Sequence, residues 1–245
     1  MNLEEYQALQ PNVKFGDITF LTPNTHCAWR VETLETKEPD TMAWLRAMQC
    51  GETLFDVGAN MGQYSLIAAS LGLHVHAFEP ESQNFALLCR NVAMNSALTG
   101  TIIPWPLALS DEPSINLFHV QSLQTGGSCS SYGEQVNFHL QPKQYAFHQG
   151  CMAYTMDDFS DRYGLPDHIK IDVDGLEHKV IAGAGACLTV CKSVLVEINT
   201  TLPEHMAIYG IMEDHGLFPD VATADIARRK EGSFVGIGNV IFYRK

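Results

Sequence analysis

FDVGANMGQYS, residues 55–65, runs from apolar strand formers through Gly58-Ala59-Asn60-Met61-Gly62 into a helical pattern over 63–72. Two glycines around a small polar residue, between a strand and a helix, mark backbone that must come close to something. Asp56 stands just before the turn, at the carboxyl end of the strand. The same rhythm continues downstream. HVHAFEP (74–80) is a second strand and SQNFALLCRNVAMNS (82–96) a helix with Phe85, Leu88 and Val92 at core spacing. GTIIPWPLAL (100–109), HIKIDVDG (168–175) and SVLVEIN (193–199) read as further strands, with helices over 176–188 and 203–216 and a last strand at 238–245. Strands alternating with helices imply a parallel sheet covered on both faces, which binds ligands at the carboxyl ends of its strands. Asp56, Glu79, the segment 109–111, Asp172 and Glu197 fall at those ends.

Upstream, VKFGDITFLT (13–22) has strand-like alternation, CAWRVETLE (27–35) resembles a second strand, and a helix starts at Pro39-Asp40. Residues 112–155 break the pattern. SLQTGGSCSSYGEQ (122–135) has no apolar period, so a long irregular loop with a functional role is expected there.

The spacing in the glycine turn is G-x-N-x-G. A dinucleotide fingerprint needs a glycine where Asn60 stands, so that pyrophosphate can approach the backbone, and the P-loop lysine is absent too. Roughly twenty residues on, the second strand ends in Phe78-Glu79-Pro80, where a carboxylate can accept hydrogen bonds from both ribose hydroxyls. A nucleoside without a diphosphate fits both signals. S-adenosylmethionine is such a ligand, with its amino-acid end at the loop and its ribose at Glu79.

The chain of 245 residues carries 28 acidic against 15 basic side chains, a formal net charge of −13. Arg228-Arg229-Lys230 is the nearest approach to a basic cluster, so nucleic acid is disfavoured as a partner. No stretch approaches the eighteen or so apolar residues of a membrane helix, and MNLEEYQALQP lacks the pattern of a signal peptide, so a cytoplasmic protein is expected. Seven scattered cysteines include no CxxC pair, and Cys187 and Cys191 read as small buried residues.

Five stretches together resemble the FkbM family of S-adenosylmethionine-dependent methyltransferases. They are KEPDTMAWL (37–45), FDVGANMGQYS, AFEPE with NFALLCRN (77–91), PLALSD (106–111), and IKIDVDGLEHKVIAGA (169–184) followed by VLVEIN (194–199). The family more often has Glu where this chain has Asp174. The resemblance implies a Rossmann-like class I methyltransferase fold, an α/β domain over 51–245 with a seven-stranded, mostly parallel sheet whose last strand is antiparallel and helices on both faces. Residues 1–50 would form a small N-terminal extension of short strands and a helix packed on that core. It further implies cofactor contacts from Asp56, Gly58, Asn60, Gly62, Glu79 and Pro80, an adenine-lining segment at Ala108 and Leu109, and closure by Glu38. The acceptor implied is a hydroxyl oxygen of a small metabolite or sugar, with specificity in 113–150. A catalytically inactive nucleoside-binding module acting through a protein partner is the alternative.

Attack on a sulfonium methyl needs the acceptor oxygen held roughly 3 Å behind the carbon and a base within reach of its proton. Asp172, ending a buried strand, is the first candidate base, and His178 the second because imidazole titrates near neutrality. Asp174 before Gly175 reads as turn chemistry. Mg²⁺ at Asp172 and Asp174 is the minority option, and no residue is assigned as a metal ligand. The β-rich N-terminal piece could pair with a second copy.

Overall fold

Along each strand, neighbouring residues face opposite sides of the sheet, and here both sides are apolar. Leu54, Val75, Leu195 and Ile241 join one buried cluster, and Phe55, Val57, Ile169, Val194 and Phe242 join the other. The structure, a computed structural model, describes residues 11–221, 224 and 235–245. Nearly all of the acidic leader and the Arg228-Arg229-Lys230 run lie outside the described residues.

The strands in chain order are β1 (Asn12–Phe15), β2 (Ile18–Leu21), β3 (Thr53–Val57), β4 (His74–Phe78), β5 (Thr101–Trp105), β6 (Ala108–Leu109), β7 (Ser114–Val120), β8 (Ser131–Tyr132), β9 (Phe147–Tyr154), β10 (His168–Ile171), β11 (Ser193–Asn199), β12 (Leu217–Pro219) and β13 (Ile237–Arg244). Seven of them form the main sheet in the order β12-β13-β11-β10-β3-β4-β5, and β13 alone runs against the rest. This is the expected α/β sheet. The order reverses between β3 and β10, and there the carboxyl ends of neighbouring strands open a crevice.

Three readings of the sequence are corrected. Residues 27–35 are not a strand: Thr25–Glu32 is a helix, started by Asn24, whose side chain accepts the Cys27 N–H, and buried along Cys27 and Val31. That i, i+4 pair is the helical period the strand reading overlooked. GTIIPWPLAL is not one strand, because the chain leaves the main sheet after Trp105 and Ala108–Leu109 joins another. That second sheet, β6-β9-β7-β8, occupies the segment read as irregular. Ser114–Val120 pairs with Phe147–Tyr154 over seven residues. Its first residues are exposed and its last three buried, so no alternation announced it. Ile115 and Leu117 face out, whereas Phe118, Val120, Cys151 and Ala153 form a small core. All seven cysteines are free thiols. Among the described residues, no helix is long and apolar enough to cross a membrane.

Candidate active site

The glycine turn approaches its own protein. A Cβ on Gly58 (φ +81°) would lie 1.9 Å from the Asp172 carbonyl oxygen, and one on Gly62 (φ +86°) 2.5 Å from Leu88 Cδ1. Gly58 thus lets β3 and β10 close together at the switch point. Gly62 lets the helix Gln63–Ser70 pack on the helix Ser82–Met94. The N–H groups of Gly58 and Ala59 both donate to Phe78 O, at 3.0 Å each, which fixes the turn to the end of β4.

Above this floor lies a cleft whose free volume, open solvent at its mouth included, is about 650 Å³. Gly58, Asn60, Gln63 and Tyr64 line one side, Glu79, Pro80 and Asn84 another, and Lys170, Asp172 and Asp174 a third. Gly58, Pro80, Phe118 and Val173 also line a second, more apolar cavity with Leu107, Ala108 and Leu109. The two cavities share these walls and adjoin.

Glu79 sits between Asn60 N and Glu81 N, each donating to one carboxylate oxygen at 2.8 Å. Burial pushes the carboxyl up to about 8, against the effect of those two N–H donors. Each oxygen keeps further acceptor capacity on the cleft wall, a pair of acceptors that suits the two hydroxyl donors of a ribose.

At the opposite wall, β3 and β10 place Asp56 and Lys170 directly across from each other. Lys170, 1% exposed, has its ammonium 3.6 Å from both Asp56 Oδ1 and Asp172 Oδ2. Burial opposes its charge, but Asp172 and Asp56 outweigh that and hold its pKa above the ordinary lysine range. Carboxylate oxygens of Asp172, Glu177 and Glu197 lie within 4.8 Å of one another. Glu177, pushed up to about 8 by burial, accepts N–H bonds from Val173 and Gly175 at 2.8 and 3.0 Å and thereby shapes the turn carrying Asp174. Asp174 holds a left-handed φ of +58°. Burial, then the charge of Asp172, raises its carboxyl to about 6.

The segment 121–130 roofs the cleft. Asn60 Nδ2 and Asn84 Nδ2 both donate to Gly127 O (2.8 and 3.1 Å), and Gly126 N donates to Asn84 Oδ1 (2.7 Å). Arg30 Nε donates to Gly126 O at 2.7 Å, and Cys129 N to Asp174 Oδ2 at 2.6 Å. The roof is therefore a strap tied at several points to the floor and to the N-terminal helix.

Gly58, Asn60, Glu79 and Pro80 line the cleft, and Ala108 and Leu109 the adjoining cavity. Four other predicted residues line neither. Asp56 is fully buried beneath the cleft, bonded by Ser65 Oγ at 2.6 Å and paired with Lys170. Gly62 faces Leu88. Glu38 spends its carboxylate on Lys37, Tyr64 OH (2.7 Å) and Asn239 Nδ2 (3.0 Å). Burial would raise it, but the Lys37 charge and these bonds hold it down at about 2, and it touches the cleft lining through its bond to Tyr64. His178 packs near His205, with ring centroids 5.7 Å apart, and burial lowers its pKa. Arg30, Tyr64 and Lys170 were missed. A lysine between isoleucines in a strand buried on both faces was a legible signal for Lys170; Arg30 lay in the segment misread as a strand.

The family model "Methyltransferase FkbM domain" matches residues 56–217. The chain belongs to that family. Its seven-stranded sheet has the order of a Rossmann-like fold. A curated relative, the hexuronic acid methyltransferase AglP of Haloferax volcanii, is 25% identical over 175 residues. The match covers 70% of this chain and 66% of that protein, just under two thirds of its length. Magnesium protoporphyrin IX methyltransferase from Synechocystis PCC 6803, with bound SAM, superimposes with a TM-score of 0.51 at 12% identity, covering 91% of this chain and 85% of that one. M. jannaschii TYW2 in complex with AdoMet gives 0.50 at 12%, covering 96% and 87%. At such identities the likeness is one of fold.

Proposed function

We propose that this FkbM-family chain methylates a hydroxyl oxygen of a small polyhydroxylated acceptor, a sugar or sugar acid, with Asp172 as general base. The observation that carries this reading is Asp172 on the cleft wall that also carries Lys170 and Asp174, with the carboxylates of Glu177 and Glu197 within 4.8 Å of its own. Carboxylates are the acceptors that sugar hydroxyls seek. The similarity to a hexuronic acid methyltransferase points to the same substrate class.

S-adenosylmethionine supplies a sulfonium methyl and leaves as the thioether. Glu79 would hold its ribose, the floor at Gly58–Asn60 its amino-acid side, and Ala108 and Leu109 its adenine. Asp172 lines the cleft with its side chain 32% exposed. It takes the hydroxyl proton as the oxygen bonds to carbon and the C–S electron pair goes to sulfur. Asp174 is the weaker candidate, because its Oδ2 already ties the strap through Cys129 N. Glu177 keeps the 173–175 turn in place, and Lys170 steadies Asp172.

The test is transfer of labelled methyl from S-adenosylmethionine to uronic acid and neutral sugar acceptors. Asp172→Asn should lose about 10²–10⁴-fold in turnover while its affinity for S-adenosylhomocysteine stays the same. Full activity in that variant removes Asp172 as the base. Label released by mild alkali identifies an ester on a carboxylate and overturns the hydroxyl assignment; an ether methyl survives.

A further inference from the structure

The basic side chains that line the cleft, among the described residues, are Lys170 and Arg30. Lys170 is fully committed between Asp56 and Asp172. Arg30 is partly exposed, on the helix Thr25–Glu32, which precedes the family-matched span of 56–217. Its Nε is fixed by Gly126 O at 2.7 Å, with His26 Nε2 at 3.3 Å, so the guanidinium is held under the strap rather than left to wander. Its positive charge reaches Tyr64 and Asp174, on two other walls of the same cleft.

The methyl donor is a nucleoside with a zwitterionic tail. If Glu79 holds its ribose, the tail runs along the Gly58–Asn60 floor, where its carboxylate needs a cation. A guanidinium is the preferred one, because its planar fork matches both carboxylate oxygens. We infer that Arg30 binds the carboxylate of the donor's amino-acid end, so that the N-terminal segment completes the cofactor site. This rests on the reading of the cleft as the donor site.

The experiment is titration calorimetry on the full chain with two probes. S-adenosylhomocysteine carries the amino acid; 5′-methylthioadenosine has the same nucleoside and thioether without it. Arg30→Gln should weaken S-adenosylhomocysteine about ten-fold or more and move methylthioadenosine by less than about two-fold. Arg30→Lys, which keeps the charge without the fork, should fall between. Unchanged S-adenosylhomocysteine affinity in Arg30→Gln overturns the assignment. Equal weakening of both probes overturns it too, because Arg30 then acts only through the Gly126 tie. Retained methylthioadenosine binding shows that the variant is folded. A wild-type protein that binds neither probe removes the donor-site reading itself, and the inference with it.

Discussion

The floor and the roof of the cleft are made in different ways. The floor, 57–62 and 78–81, is backbone bonded to backbone over about twenty residues, with Gly58 and Ala59 donating to Phe78 O. The roof, 121–130, is held by side chains of Asn60, Asn84, Arg30 and Asp174, contributed by four separate segments. Backbone pairing leaves little choice of geometry, whereas a strap hung from single side chains can be loosened at one point without disturbing the sheet beneath.

If that contrast holds, the largest effect belongs to the floor. Gly58→Ala adds a Cβ against Asp172 O at a left-handed φ, and a loss of about 2–5 kcal/mol in denaturant unfolding is expected. Gly62→Ala should cost less, because the atom it meets is the end of the Leu88 side chain, which can turn. Equal losses at the two positions would mean that the β3–β10 approach is not special.

Next comes Glu79. Glu79→Ala should weaken S-adenosylhomocysteine binding by roughly 1–3 kcal/mol, through unpaired ribose hydroxyls, in titration calorimetry. Glu79 also has a pH signature. Its folded pKa of about 8 lies above the ordinary 4.5, so only the unfolded chain releases this proton between those values. Wild type should therefore lose stability relative to Glu79→Gln as pH rises from 4.5 to 8. Donor affinity should rise over the upper part of the same window, as the carboxylate ionises. Melting temperatures at the two ends, and binding at pH 6 and pH 8, check the two signs; parallel curves for wild type and variant would contradict the shift.

The smallest effect is at the roof. Asn84→Ala removes two of the strap's ties, and hydrogen exchange at Gly126 should quicken by about ten-fold while Gly58 and Ala59 keep their protection. Quickening at all of these amides together would show that floor and roof open as one unit.

The same division explains how far residue patterns reach. TLFDV, HVHAF and HIKI are short apolar runs bounded by turn residues, and their order fixed the parallel sheet. The position of Glu79 on the cleft wall was legible because its place at a strand end, about twenty residues past a glycine turn, is a matter of chain distance. The burial of Asp56 was not legible, because the family's loop motif does not say which face of β3 it takes: it shares the Leu54 side, across from Lys170, beneath the cleft. Residues 27–35 misled because Cys27 and Val31 meet the core at helical spacing inside a stretch that also reads as extended. The second sheet escaped because half of Ser114–Val120 faces solvent, leaving no period of two.

Local chemistry therefore set the strands, the tight turn after Asp56 and the acid that closes β4, since each depends on residues a few positions apart. How Lys170 meets Asp56, and how Asn84 and Arg30 carry the strap, depend on contacts across 40 to 115 positions. Such contacts cost chain entropy that only the finished core repays, and no spacing within a single segment encodes them.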